Sequence, residues 1–302
     1  MYVVPKNEVI ILDSNITDED FNYVQFVIGN TYSLNTEVQH GEDIFRSLKD
    51  NNLDTPVSSK TTLSWKFLKK ANKWAAFDEK TSSLTVNETE IIYVVQARYI
   101  DYIALLNLKA RAVKFELFNI SDDIDTSEPI WSKEQITYSR KPYNYTEYIT
   151  SDGVFSQTIL QNIFPYYAVK LKITISNTSG AIAQVGNIIY GKKIDLGITL
   201  IGVALEIGNL LDIDIDKDTG LINQVPIMPR KDLTIPVLID IKDFERVEQK
   251  FTELLGKPCL FIAIESIENV RPSLALYGFY KNIRIPIGAE KNEYEIQIKG
   301  VI

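Results

Sequence analysis

A single histidine, His40, stands in this chain of 302 residues, so any mechanism needing an imidazole base or a multi-histidine metal centre rests on that side chain alone. It precedes Gly41 between two β-prone segments, where an exposed turn is expected. The only cysteine, Cys259, sits in the apolar text Cys259-Leu-Phe-Ile-Ala-Ile264 and reads as a small buried hydrophobe. Neither a Gly-x-Ser-x-Gly elbow, a complete Gly-x-x-x-x-Gly-Lys-Ser/Thr phosphate loop nor a Gly-x-Gly-x-x-Gly fingerprint occurs. Serine hydrolase, P-loop and dinucleotide chemistry thereby lose their usual support.

Carboxylate chemistry remains open in principle, since two acids about 5 to 9.5 Å apart suffice for glycoside hydrolysis. With 40 acidic residues the sequence nominates no pair. The densest cluster is Asp212-Ile-Asp-Ile-Asp-Lys-Asp-Thr-Gly220. A calcium loop counted from Asp214 would need Gly and Glu where Thr219 and Val225 stand. An alternating strand followed by a turn fits better, and a fold without cofactor or metal is expected.

Two aromatic groupings suggest binding instead. Trp131 precedes the run Tyr138-Ser-Arg-Lys-Pro-Tyr-Asn-Tyr-Thr-Glu-Tyr148, and Trp131, Tyr143, Tyr145 and Tyr148 could stack on sugar rings. The same rings could equally fill a core or an intersubunit contact, where tyrosine is enriched. Lys66, Lys69, Lys70 and Lys73 lie between Trp65 and Trp74, a pattern compatible with single-stranded nucleic acid. In a chain of net charge -8 and pI about 4.9 they read as a solvated face, and nucleic acid is not expected as a partner.

The elements that must position these residues are mainly strands. Hydrophobic residues make up 45% of the chain and charged residues 24%, which is enough apolar material for a packed core. Its 16 Tyr and 13 Phe, with abundant Ile, Val and Thr, suit pleated surfaces. No apolar run reaches the roughly 18 to 20 residues of a membrane span, and the opening Met1-Tyr-Val-Val-Pro-Lys6 lacks a secretory pattern, so a soluble product is expected.

Three units are expected. Residues 1–80 form a small β module with strands around Tyr32–Val38 and Ile44–Leu48. Residues 81–193 form a sandwich or jelly roll, with strands at Glu90–Gln96, Tyr102–Asn107, Ala112–Phe118 and Val169–Ile175. Residues 194–302 form a β unit carrying one helix, Phe244 to Leu255, N-capped by Asp243 and stopped by Gly256 and Pro258. Phe244, Val247, Phe251 and Leu254 make its apolar stripe, which the following strand Cys259–Ile264 is expected to cover.

Trp65, then Asn72-Lys-Trp-Ala-Ala-Phe-Asp78, then Tyr277-Gly-Phe-Tyr-Lys281, with Ile103–Leu108, Ile188–Gly191, Leu196–Thr199 and Leu255–Pro258 between them, resemble a family of tailed-bacteriophage virion proteins. Two departures stand out: Lys73 replaces an expected Arg, and Lys69-Lys70 replace a Gly-Pro-like turn. The order from Tyr32 to Trp65 is also similar to small chitin-binding modules. The resemblance implies a carbohydrate-binding-like β-sandwich and a non-enzymatic structural role in the tail or baseplate region. It further implies synthesis in the host cytoplasm, residence in the virion, and symmetric contacts with other tail proteins. Trp65, Asn72, Trp74, Phe77, Asp78, Gly278, Phe279 and Tyr280 are then structural residues of the family motif. A host-glycan or receptor binder and a polysaccharide hydrolase are the alternatives.

Overall fold

A computed structural model describes residues 1–139, 144–150, 154–208, 211–215, 222–226, 230–264, 274–286 and 290–301. The chain is mainly β, as the alternating patterns imply, with several antiparallel sheets and one short helix near the C-terminus. Among the described residues no helix is long and apolar enough to cross a membrane.

The central sheet is built on two long strands, Glu90–Leu106 and Thr158–Ser176, paired antiparallel. The sequence suggested a break between Gln96 and Tyr102. The strand instead runs through Ala97–Asp101, because its partner continues alongside and absorbs the mismatch in a register shift between Asn162 and Tyr166. Ala112–Asn119 and Trp131–Ile136 extend the sheet on one side; Asn187–Gly191 and Ile10–Ser14 share the other.

Successive side chains alternate between two buried faces. Ile91, Tyr93, Val95, Phe115, Leu117, Leu171 and Ile173 enter one core, covered by Ala76 and by Ala183 and Val185 of the strand Ile182–Val185, which pairs with Thr85–Glu88. Tyr102, Ala104 and Leu106 point the other way and meet Val4, Leu260, Ile262 and Tyr277 of the C-terminal sheet. This contact gives the sandwich-like layering.

That second sheet orders Ile194–Asp195, Tyr2–Pro5, Cys259–Ile262, Ala275–Arg284, Lys291–Gly300 and Arg230–Asp240, with Ile198–Thr199 and Ala204–Gly208 along its last edge. The helix Phe244–Glu253 covers its far face through Val247, Phe251 and Leu254. Phe251 meets Tyr280 and Tyr294 at ring-centroid distances of 5.4 and 6.0 Å, so the stripe rests on more strands than the adjacent one expected to cover it. The cap also differs. Asp243 makes no capping hydrogen bond and instead accepts from Arg246; Asp240, before a 3-10 turn, accepts from the Lys242 N–H at 3.1 Å.

The N-terminal module is a four-stranded sheet, Val24–Gln25, Glu37–His40, Asp43–Ser47 and Trp65–Lys70, around Tyr32, Val38, Phe45 and Trp65. Residues 1–80 do not all belong to it: Tyr2–Pro5 lies inside the C-terminal sheet and Ile10–Ser14 on the central one. The connection between them, Lys6 to Val9, crosses the molecule beside the Asn72–Asp78 motif.

Candidate functional site

Of the clefts beside the Lys6–Val9 connection, two bring aromatic rings together with charged side chains of both signs around Asn7 and Glu8. The larger, about 530 Å³, is lined by Lys6, Asp18, Glu42, Lys70, Lys73, Trp74 and Phe77, among others. It exists because the short helix Asn72–Ala75 turns the chain from the N-terminal sheet toward the strand Thr85–Glu88. Asn72 fixes that turn: its side chain donates to the Val86 carbonyl at 2.8 Å and accepts from the Val86 N–H at 2.9 Å. Thr85 bridges the Asn72 carbonyl and the Ala76 N–H, and Tyr93 donates to the Lys73 carbonyl at 2.6 Å while its ring meets Phe77 edge-on.

Every cation in this cleft is committed. Lys70 pairs with Asp43 at 2.8 Å and Glu42 at 3.2 Å, and Lys73 pairs with Asp18. The Lys6 ammonium donates to the carbonyls of Phe77 and Asp78; burial pushes it down to about 8, against the pull of Asp78 and Glu79. For Asp43, burial pulls upward, but hydrogen bonds from Lys70, Ser58 and Ser59 hold the carboxyl below its ordinary range. Lys70 is raised, the Asp43 and Glu42 contacts outweighing burial. The lysines expected on a solvated face thus include two held in ion pairs, and the cleft is a charge-balanced junction.

The second cleft, about 340 Å³, is lined by Asn7, Glu8, Gln96, Ala97, Arg98, Tyr99, Tyr167, Tyr190 and Lys192. Tyr99 and Tyr167 are cross-strand neighbours with ring centroids 4.7 Å apart, and the Lys192 ammonium lies 5.6 Å from the Tyr99 ring centroid. Tyr99 donates to Asp101 at 3.0 Å; burial, then that carboxylate, pushes its phenol up to about 12. Tyr167 is 73% exposed. No motif singles out this cleft in the sequence. The available signal was Phe164-Pro-Tyr-Tyr167, which breaks the alternation of its strand.

The residues expected to bind glycan are not its lining. Trp131 is half-buried against the central core, Tyr143 lies outside the described residues, Tyr145 is exposed on the short helix Tyr145–Thr150, and Tyr148 lies on that helix, its side chain outside the described residues. Trp65 is fully buried and donates to the Asp54 carbonyl at 2.6 Å. Trp74 and Phe77 line the first cleft, and the Asp78 carboxyl, raised by burial, accepts from the Lys80 N–H. Gly278 faces Gly300, Phe279 pairs with Lys299, and the Tyr280 hydroxyl donates to the Phe251 carbonyl.

His40 stacks edge-on against Phe26 beside Gly41, whose positive φ suits the turn. Cys259 is buried, and burial pushes its thiol up to about 11. Backbone residues Leu211–Ile215 pair with Ile222–Pro226, while Asp216 and Asp218 lie outside the described residues. Gly186-Asn-Ile-Ile-Tyr-Gly191-Lys192 has the spacing of a phosphate loop, but Lys193 replaces the hydroxyl residue and Asn187–Gly191 is a sheet strand, so no helix N-terminus faces a phosphate.

Comparisons with family models, with curated proteins and with solved structures find no match.

Proposed function

We propose that this chain is a non-enzymatic assembly protein of a tailed-phage virion, held among other tail proteins in symmetric copies. The observation that carries the reading is the sheet edge formed by Ile198–Thr199 and Ala204–Gly208. Among the described residues its strands ladder only with Arg230–Asp240, and the Thr199 hydroxyl also donates to the Ala263 carbonyl. Ile198 is 68% exposed, Ile207 61% and Ile201 fully so. An edge presenting unpaired backbone groups beside exposed isoleucines is a template for another strand unless something covers it.

The N-terminal module adds Phe21, Ile28 and Leu63, all largely exposed. Apolar surface of this kind supports a chain that works by contact with neighbours, and the resemblance carried by Asn72–Asp78 and Tyr277–Lys281 supports a tail as the setting. The test is a density map of the phage particle encoding the chain. The reading requires this protein in symmetry-related copies, with the Ile198–Gly208 edge covered by a neighbouring chain. Absence from purified particles, or an edge left bare within them, overturns it.

A further inference from the structure

We propose that the cleft between Tyr99 and Tyr167 binds a carboxylated saccharide, with Tyr167 as the stacking platform and Arg98 and Lys192 as the charge-reading groups. Three observations converge on it.

The first is the re-aiming of Tyr167. In a regular strand one of every two neighbours turns inward, yet Tyr167 and Ala168 are both exposed. The backbone achieves this with the register shift between Asn162 and Tyr166 and with Ala168 at φ 50, a left-handed conformation uncommon for a residue with a Cβ. The tyrosine ring therefore stands out beside a cleft, with Tyr99 set at 76° to it.

The second is charge. The lining holds two cations, Arg98 and Lys192, against one carboxylate, Glu8, in a protein whose net charge is -8. Among the described residues neither cation forms an ion pair, in contrast to Lys70 and Lys73 of the neighbouring cleft. A local positive excess in an acidic molecule favours a negatively charged ligand.

The third is the kind of polar group present. The Gln96 amide can donate and accept, as each sugar hydroxyl does; Asn7, whose amide nitrogen donates to the Tyr190 carbonyl at 3.1 Å, offers its amide oxygen; and Glu8 can accept from hydroxyls while opposing a phosphate-rich ligand. Pyranose rings present flat arrays of C–H groups that suit a tyrosine face. A peptide added as a strand would find only the short gap at residues 97–101, since on that side Gln96 is already paired with Ile10 and Tyr102 with Gly191. The site is independent of the assembly edge at Ile198–Gly208, so either can fail alone.

The experiment uses the full chain on an array of uronic-acid, sialylated and sulfated oligosaccharides with their neutral parents, plus single-stranded oligonucleotides, followed by titration calorimetry on the best carboxylated sugar. Binding of a carboxylated sugar at least tenfold tighter than its neutral parent is expected. Tyr167→Ala should weaken it at least tenfold and Lys192→Glu should erase the preference for acid, both with unchanged melting temperature and circular dichroism. Failure of every carboxylated sugar to bind, binding unaffected by Tyr167→Ala, or binding of sulfated sugars or oligonucleotides alone would each overturn the proposal.

Discussion

The Asn72 side chain pairs with both backbone polar groups of Val86, donating to its carbonyl at 2.8 Å and accepting from its N–H at 2.9 Å. Val86 lies on Thr85–Glu88, whose other edge is taken by Ile182–Val185. One amide therefore serves as the third strand of that small sheet and ties the N-terminal module to the central core. Asn72→Ala should cost about 1 to 2 kcal/mol for the two lost hydrogen bonds. Asn72→Asp should cost at least as much at neutral pH, because a carboxylate oxygen then meets the Val86 carbonyl. Urea unfolding of the two variants checks this, and a loss under about 0.3 kcal/mol in both would remove the clamp from the account.

Gly278 is held by close approach of backbone. It lies opposite Gly300, and a Cβ built on it would fall 2.0 Å from the Lys299 carbonyl oxygen. Gly278→Ala should destabilise by about 3 kcal/mol or more, since backbone rather than a movable side chain must give way. Gly208→Ala, whose added methyl would find its nearest neighbour at 3.7 Å, is the matched control and should stay within about 1 kcal/mol of the parent.

The Asp43–Lys70 pair should make the N-terminal module acid-sensitive. Asp43 is depressed in the folded chain, so its stabilisation is present above the unfolded carboxyl pKa near 3.9 and is lost as pH falls through the lower folded value. Lys70 is raised, so its share is complete below the unfolded lysine pKa near 10.4 and is lost as pH rises through the folded one. Lys70→Met should cost about 3 kcal/mol by leaving the buried carboxylate without its cation. Asp43→Asn should flatten the acid limb of a melting-temperature profile, and an unchanged limb would contradict the pairing.

Phe251 anchors the helix. Its ring is nearly inaccessible, between Tyr280 and Tyr294, and Phe251→Ala should cost about 3 to 5 kcal/mol. Equilibrium denaturation gives the number directly; a cost below about 1 kcal/mol would mean the stripe is not packed as described.

Period-two alternation made the mainly β architecture legible in the sequence, because a strand with one face in water and one in a core must place its apolar residues at every second position. Ala112–Asn119 and Val169–Ile175 were plain for that reason, and the stripe Phe244, Val247, Phe251, Leu254 was equally plain at helical spacing. Gly41 and Gly256 marked turns that need positive φ. The continuity of Glu90–Leu106 was not legible, since Arg98 and Tyr99 look like a break until the partner strand is known to run past them.

What the sequence alone determined was thus local: which residues extend, where the chain turns, and which helix face seeks a core. What only the tertiary structure decided was pairing. Tyr2–Pro5 joins Cys259–Ile262 across more than 250 positions, although nothing in either segment names the other. Backbone donors and acceptors are the same in every strand, so partners are selected by how whole faces fill space together, as Val4, Leu260 and Tyr277 do against Tyr102. The Tyr99–Tyr167 cleft follows from the same cause: two tyrosines 68 residues apart become neighbours only once their strands are paired and a register shift turns one ring outward.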